Sequence, residues 1–567
     1  MRCARWIGAL LLLLGMVLVA LTGISAGRGF QPPAGVLVAS LRSEPESFNP
    51  YTARPDLPLE VLTRLMHAPL VRVNRTNGAL EPWLAERIVA EEDGVSYKLH
   101  LRPNVRFSDG SPFTAEDVIA SFQAVYDEAS ESYLSDNLRI DGQPLRVSAP
   151  DAHTVIIRFP RVYGPGLRML DNLPILPAAR LKSARGPALR RLWSLSGRAQ
   201  EMAGLGPFVL VEYQPAQRLV LARNPHYWRR GADGRALPNL DRIVLEIVPD
   251  QNGELLRLQA GQIDLLATEV RPEDLPVVRR EARGGRLRLW DLGPALDGDA
   301  LWFNLGSASS SDKREWLRAK EFRQAISHGV DREAFVNTVY FGMGLPLHGP
   351  VSPGNVDWYA PDVPKIQYDP ARARALLGSL GLRDRDADGV LEDARGEPVR
   401  FTLMTQSGNT DRERGASFIA QELRHLGVVV DVATLEPGSL FERFHGGRYD
   451  AMFFGLQSVS TDPADQLDFW LSRGHFHLWD AGQTSPKRDW EAAIDRLMLE
   501  QVGTRDLSVR KRIFADVQRL FAEHTPAIYF GVPRVIAAAS TRVRMTSPGL
   551  MQPQLLWNPD ELAVDLQ

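Results

Sequence analysis

The sequence predicts a mixed α/β fold, and two patterns in its C-terminal half carry this prediction. Residues 401–405 and 428–432 are apolar runs fit for buried strands, and the apolar residues between them recur at helical spacing. Such a strand–helix–strand unit indicates parallel sheet. A second helical pattern ends near Phe521, and a final apolar run at 527–532 follows it as a strand.

The other predicted elements follow in chain order. Residues 36–41 are an apolar run fit for a buried strand, and 95–101 alternate apolar and polar residues, as a half-buried strand does. Thr114 and Asp117 have the spacing of a capping box, which predicts that a helix begins there. Further along, the patterns predict a hairpin over 208–222, a strand at 243–248, and a helix from Asp369-Pro370 to Gly381.

Composition narrows the classes of function. The 567 residues are 44 % hydrophobic and 24 % charged, a balance that excludes a disordered, collagen-like or polytopic membrane chain. The 66 basic and 69 acidic residues give a net charge of -3, so no basic excess points to nucleic acid. Cys3 is the single cysteine, which excludes disulfides, thiolate catalysis and cysteine-based zinc sites.

Residues 1–27 have the pattern of an export signal. Arg2 and Arg5 are positively charged, residues 6–27 carry no charge, and Ser25-Ala26-Gly27 has the form of a signal peptidase site. The alternative is an uncleaved anchor through residues 6–27, which are long enough to span a bilayer. In both cases the sequence predicts that the chain from about residue 35 onward is periplasmic or otherwise extracytoplasmic.

The motifs of several common enzyme classes are missing from the sequence. It contains no GxxxxGK[ST] phosphate-binding loop, no HExxH zinc motif and no GxSxG nucleophile elbow. We therefore predict a protein that is not an enzyme and that needs no cofactor. An exported hydrolase, with a nucleophile and a base brought together from distant positions, is the alternative.

One acidic segment matches the start of a calcium-binding loop. Its alternating aspartates, and the glycine at the sixth position, are Asp384, Asp386, Asp388 and Gly389. The twelfth position should be a bidentate glutamate but is Arg395, and Glu392 at the ninth position substitutes only in part. We favour a polar hairpin tip, so no metal site is predicted and calcium stays a weak candidate.

Several segments, in order along the chain, carry a family resemblance. The longest is Tyr-Lys-Leu-His-Leu-Arg-Pro-Asn-Val-Arg-Phe-Ser-Asp-Gly-Ser-Pro-Phe-Thr-Ala-Glu-Asp-Val at 97–118. The others lie at 44–50, 79–86, 204–210, 223–228, 302–304, 322–333, 368–370 and 461–463. Together they resemble the extracytoplasmic solute-binding proteins of family 5, which are the peptide, nickel and oligosaccharide receptors of ABC importers.

This resemblance implies a periplasmic-binding-protein-like architecture of two hinged α/β lobes with an inserted subdomain. Lobe one would comprise 36–70, 204–295 and 526–567, the inserted subdomain 71–203, and lobe two 296–525. The chain would cross between the lobes near Gly293–Leu296 and Glu523–Pro526, and the ligand would be buried as the lobes close.

The resemblance also implies a function. The protein would be the substrate-binding subunit of an ABC importer and would capture a peptide or peptide-like solute by hinge closure. It would act as a monomer, with the permease subunits as partners and no nucleic acid. Alternatives are an oligosaccharide or metal-chelate ligand, or a membrane-anchored sensor with the same fold. The expected ligand contacts are Phe48, Asn49, Trp302, Asn304, Gln457, Ser458, Val459, Ser460 and Asp462.

One position departs from the peptide receptors of this family. In those proteins a strand ending in Gly-Trp-x-x-Asp, shortly before an Asp-Pro, supplies a carboxylate to the peptide's ammonium group. In the comparable stretch, 455–463, the acidic position is occupied by Val459. A buried ammonium without a counter-charge is unfavourable by several kcal/mol. Either the amine anchor is lost, or the loop is aligned a few residues off, or the carboxylate comes from Asp462, Asp465 or Glu46.

Overall fold

The structure is a computed structural model that describes residues 35–306, 314–456, 460–545 and 547–565. These residues form two α/β lobes, each around its own sheet, and a smaller subdomain inserted into the first lobe. The mixed α/β class predicted from the sequence is confirmed. The predicted signal at 1–27 lies outside the described residues, and none of the described helices combines the length and hydropathy of a membrane span.

The first lobe is built on a sheet of eight strands from distant parts of the chain. Leu37 and Ala39 on one face of its inner strand enter one apolar core, and Val38 enters another, so both faces are covered. Across the sheet, seven strands follow the order Phe208–Gln214, Arg218–Arg223, Arg242–Ile247, Val36–Leu41, Leu265–Leu266, Gly531–Ser540 and Leu287–Pro294. The eighth strand pairs with Gly531–Ser540 and is Gly344–Pro346. The helices are Leu57–Met66, Gln251–Gln259 and Leu275–Arg283.

The inserted subdomain packs the helix Ala115–Tyr126 against a four-stranded antiparallel sheet. The predicted capping box is confirmed, because the Asp117 carboxylate accepts a hydrogen bond from the Thr114 N–H at 2.8 Å. Val118 and Phe122 of this helix share the core of the first lobe. Across the sheet the strands are Ala85–Ala90, Ser96–Leu101, Thr154–Arg158 and Arg146–Asp151, and beside it lie the hairpin Val71–Val73 with Leu80–Pro82 and the helices Leu134–Asn137 and Ala178–Ser183.

The second lobe contains the predicted strand–helix–strand unit, with Arg400–Gln406 parallel to Val429–Leu435 and Thr410–Arg424 between them. Across its sheet the strands are Val429–Leu435, Arg400–Gln406, Ala451–Phe454, Ala300–Phe303 and Ala527–Tyr529. The helices are Glu315–Arg318, Lys320–Gly329, Arg332–Val339, Pro370–Ser379, Thr410–Arg424, Pro437–His445, Leu467–Trp470, Asp489–Val502 and Leu507–His524. A separate apolar core, rich in aromatic rings, fills this lobe.

The chain passes between the two sheets several times, and two of these passages lie close to the predicted crossings. The first leaves the strand Leu287–Pro294 of the first sheet and enters Ala300–Phe303 of the second. This passage adjoins the predicted crossing at Gly293–Leu296. It is short, so the two sheets are tied closely together at this point.

The second of these passages is at Phe530. The strand Ala527–Tyr529 pairs with the second sheet, and Gly531–Ser540 belongs to the first, so the chain changes sheets at Phe530. The predicted crossing at Glu523–Pro526 lies just before these strands and stays a prediction. The apolar run at 527–532 looks like one strand in the sequence because residues of both strands are buried. The other lobe boundaries stay predictions.

Candidate ligand-binding site

The inserted subdomain meets the second lobe through a short stretch around Gly164. The Gly164 N–H donates to the Val502 carbonyl at 2.6 Å. Arg168 donates through Nη1 to the Gly78 carbonyl at 2.6 Å, and its Nη2 lies 3.5 Å from the Thr461 hydroxyl. The inserted subdomain and the second lobe are therefore in contact at Gly164 and Arg168.

A loop of the second lobe holds Asp462 in the interior. Asp462 precedes a proline and is the N-cap of a short 3₁₀ helix, Pro463–Gln466, where it accepts from the Ala464 N–H at 3.0 Å. The same carboxylate accepts two hydrogen bonds from Arg510, at 2.8 and 2.6 Å, and both side chains are buried. Asp462 therefore fixes the path of the loop.

Asp465 lies on the same loop, and its side chain keeps accessible surface. Burial, with the nearby charge of Asp462, raises the pKa of the Asp465 carboxyl to about 6. The Ser460 hydroxyl, Arg168 and Arg510 act in the opposite direction. Arg168 belongs to the inserted subdomain and Arg510 to the second lobe, so the exposed Asp465 lies where these two parts of the protein meet.

A second contact between the lobes involves Glu273 of the first lobe. Its carboxylate accepts from the Thr410 hydroxyl at 3.3 Å and from Arg414 at 3.4 Å, and both partners belong to the second lobe. Burial raises the pKa of Asp411, which also pairs with Arg414, to about 6. The lobes are thus in contact at two places along the cleft.

Two predicted contact residues of the first lobe make internal contacts in the structure. Phe48 is buried and packs edge to face on Tyr213, with ring centroids 5.3 Å apart. The Asn49 amide donates to the Leu189 carbonyl at 2.6 Å and accepts from the Tyr51 N–H at 2.9 Å. The structure gives both residues a structural role, and their contact with a ligand stays a prediction.

The predicted contact residues of the second lobe that the structure describes are also engaged in contacts within the protein. Trp302 is buried and donates to the Phe454 carbonyl at 2.7 Å. The buried Asn304 amide donates to the Gly447 and Tyr449 carbonyls, both at 3.0 Å. Three further predicted residues lie outside the described ranges, and they are Gln457, Ser458 and Val459. The half-buried Ser460 lies beside Asp465 at the cleft.

A sequence profile of one protein family matches residues 79–477, which is most of the chain. That family is described as bacterial extracellular solute-binding proteins, family 5 Middle. The chain belongs to this family. The resemblance seen in the sequence motifs is therefore confirmed.

Relatives of this family 5 protein align over most of its length. A probable ABC transporter-binding protein from Deinococcus radiodurans is 26% identical over 525 residues, covering 88% of this chain and 87% of the relative. The oligopeptide-binding protein AppA of Bacillus subtilis is 26% identical over 522 residues, with coverages of 90% and 88%.

Solved structures share the fold of this family 5 protein. AppA from Bacillus subtilis in complex with a nonapeptide has a TM-score of 0.72 at 25% identity and covers 95% of this chain and 100% of its own. NikA from Brucella suis in complex with Fe(III)-EDTA has a TM-score of 0.77 at 22% identity, with coverages of 94% and 100%. The periplasmic-binding-protein-like fold is thereby confirmed.

The acidic loop of this family 5 protein is compact. One carboxylate oxygen from each of four residues lies within 4.8 Å of the others, and the residues are Asp384, Asp386, Asp388 and Glu392. Backbone N–H groups of the loop bind these carboxylates, with Ala387 donating to Asp384 at 2.7 Å and Arg385 to Glu392 at 2.8 Å. Arg395, at the twelfth position, pairs with Asp393. The arrangement suits the hairpin tip that we favoured, and calcium binding stays a hypothesis.

Sequence reasoning missed Gly164 and Arg168 of the family 5 protein. Both lie in the irregular stretch 160–190, where no periodicity or motif distinguishes one residue from its neighbours. Asp465 was one of three carboxylates considered, and only the folded loop separates it from the paired Asp462.

Proposed function

We propose that this chain is the substrate-binding subunit of an ABC importer and captures a peptide or peptide-like solute outside the cytoplasmic membrane. Membership of the solute-binding family and the names of the aligned relatives, an ABC transporter-binding protein and an oligopeptide-binding protein, support this proposal. The predicted signal at 1–27 supports export, either with cleavage or with anchoring through residues 6–27. The chain binds its solute without chemical turnover, and the permease subunits are its partners.

The observation that carries the ligand class is the exposed carboxylate of Asp465, on a loop of the second lobe that contacts Arg168 of the inserted subdomain. Asp462 is already neutralised by two hydrogen bonds from Arg510, so Asp465 is the acidic group of this loop that is left for a ligand. A peptide ammonium group supplies the complementary charge. Such a pair is strongest where water is excluded.

The position of Asp465 beside the inserted subdomain also explains why the lobes would close around the solute. A solute that touches Asp465 in the second lobe and the inserted subdomain beside Arg168 makes both sets of contacts only when the lobes are closed. Its greater affinity for the closed form shifts the population toward closure. The permease then distinguishes loaded from empty protein by shape.

Replacing Asp465 by asparagine should weaken binding of peptides with a free N-terminus by about 30-fold or more, because the ammonium loses its counter-charge. Isothermal titration calorimetry with a free and an N-acetylated peptide of the same sequence measures this effect. The control is Asp516→Asn, which alters an exposed carboxylate on a helix of the same lobe. Equal affinity of wild type and Asp465→Asn for the free peptide would reject Asp465 as the anchor.

Affinity for a cationic solute should fall as the pH is lowered through about 6. The pKa of Asp465 is raised to about 6, so its carboxylate is mostly protonated at pH 5 and mostly charged at pH 7. A peptide ammonium stays charged over this range, and the affinity should drop about tenfold. The free energy of unfolding of the ligand-free protein should instead rise as the pH falls from 6 toward 4. A carboxyl of raised pKa binds its proton more tightly in the folded state, so protonation favours that state. Titrations of wild type and Asp465→Asn from pH 5 to 7 test this, and an equal pH dependence in both would count against the assignment.

A further inference from the structure

A cavity of about 360 Å³ lies outside the cleft between the lobes. Its walls come from the start of the inserted subdomain, from residues 228–229 and from the C-terminal segment 547–561. All of these segments belong to the first lobe and its inserted subdomain, and the second lobe lines no part of the cavity. Its occupation therefore does not depend on lobe closure.

The walls combine arginine and tryptophan side chains in layers. The Arg72 guanidinium lies 3.7 Å from the ring centroid of Trp83 and 4.9 Å from that of Trp557. The Arg102 guanidinium lies 4.8 Å from the centroid of Trp228. Such stacking holds the planar groups in place and leaves their edges to form hydrogen bonds.

Hydrogen bonds within the protein already engage most charged groups of the wall. Arg72 donates to Glu81 at 2.7 Å and to the Asn558 side chain at 2.7 Å. Arg229 donates to Glu561 at 3.2 Å. Both wall carboxylates therefore have a cationic partner, and neither requires a ligand.

Arg102 is different from the other two arginines. Its Nε donates to the Trp83 carbonyl at 2.6 Å, whereas its two terminal nitrogens make no hydrogen bond or ion pair with the residues that the structure describes. Burial lowers the pKa of Arg102, and Arg229 acts in the same direction. Glu86 raises that pKa through its charge but forms no ion pair with Arg102. Arg102 is thus a half-buried cation without a direct anionic partner among the described residues.

The indole group beside Arg102 adds an unused donor. The Trp228 Nε1 is buried and has no hydrogen-bond partner among the described residues. Unmatched groups of this kind are donors, and a ligand that satisfied them would have to bring acceptors.

We propose that this cavity is a second binding site, for a small oxyanion such as a phosphate or a carboxylate, held by the terminal nitrogens of Arg102. The planar fork of an arginine matches two oxygens of either group. The cavity has ample room for either group, and the stacking on Trp228 orients the fork. The site is separate from the cleft of the proposed solute.

Calorimetric titration of inorganic phosphate and of acetate into the whole protein, in a buffer without other oxyanions, tests the site. We expect saturable binding of at least one anion, and the preferred one identifies the class. Arg102→Gln should weaken it about tenfold or more, the loss of one charge-assisted interaction. The control Arg146→Gln removes an exposed arginine from an edge strand of the same subdomain and should bind as wild type does.

Two results would overturn the site. One is the absence of saturable binding of both anions to the wild type, and the other is unchanged affinity in Arg102→Gln. If Arg102→Gln does not fold, Arg102→Lys decides, because it keeps the charge and loses the planar fork. Weakened binding by Arg102→Lys would then support the site, and unchanged binding would reject it.

Discussion

Replacing Arg510 by methionine should lower the free energy of unfolding by about 3–5 kcal/mol, because it leaves a buried carboxylate without its partner. Arg510 donates two hydrogen bonds to Asp462, at 2.8 and 2.6 Å, and a further one to the Gln501 side chain at 2.9 Å. Both members of the ion pair are almost fully buried. Methionine fills a similar volume, so the loss comes from the unpaired polar groups rather than from a cavity.

Denaturant unfolding of three variants checks this expectation. Arg496→Met removes an exposed partner of Glu500 and should change the free energy of unfolding by less than about 1 kcal/mol. The double variant Arg510→Met with Asp462→Leu should recover part of the loss, because no buried charge is left unpaired. A loss below about 1 kcal/mol in Arg510→Met would contradict a structural role for the pair.

Replacing Gly164 by alanine should weaken solute binding about 100-fold while the protein stays folded. A β-carbon at this position would lie 2.2 Å from the Thr504 carbonyl oxygen and 2.8 Å from the Arg510 side chain. The clash acts between the inserted subdomain and the second lobe, so it opposes closure more than folding. A hundredfold smaller closed fraction lowers the apparent affinity by the same factor.

Calorimetry gives the affinity, and small-angle scattering with and without peptide reports closure. The control is Gly378→Ala, since a β-carbon there meets no atom within 4 Å. We expect Gly378→Ala to bind and close as wild type does. Normal closure by Gly164→Ala would show that the contact with Val502 and Thr504 is not part of the closed form.

Local patterns in the sequence predicted much of the fold. The capping box at Thr114 and the strand at 36–41 depend on near neighbours in the chain, and the structure has both. The division of 527–532 could not be predicted in the same way. Which sheet receives each half depends on the pairing of 527–529 with Ala300–Trp302 and of 531–532 with Leu345–Pro346, both far away in the chain.

Less of the candidate site than of the fold could be predicted from the sequence. Trp302 and Asn304 have residue types that suit a ligand site, but Trp302 lies in a strand buried on both faces, and the buried Asn304 just after it bonds to the backbone. Asp462 and Asp465 are three residues apart and chemically identical. Only the position of Arg510, on the helix Leu507–His524, pairs Asp462 and leaves Asp465 exposed.

The place of Gly531–Ser540 inside the first sheet has a consequence for synthesis and export. This strand lies between Leu265–Leu266 and Leu287–Pro294, so the ribosome must make almost the whole chain before the first lobe completes its sheet. Until then the first lobe cannot complete its folding, so the chain stays unfolded enough to pass through a translocation channel. The same delay leaves two strand edges unpaired in the nascent chain, and such edges invite aggregation. A chaperone that shields the polypeptide until its last forty residues emerge would therefore protect the first lobe most.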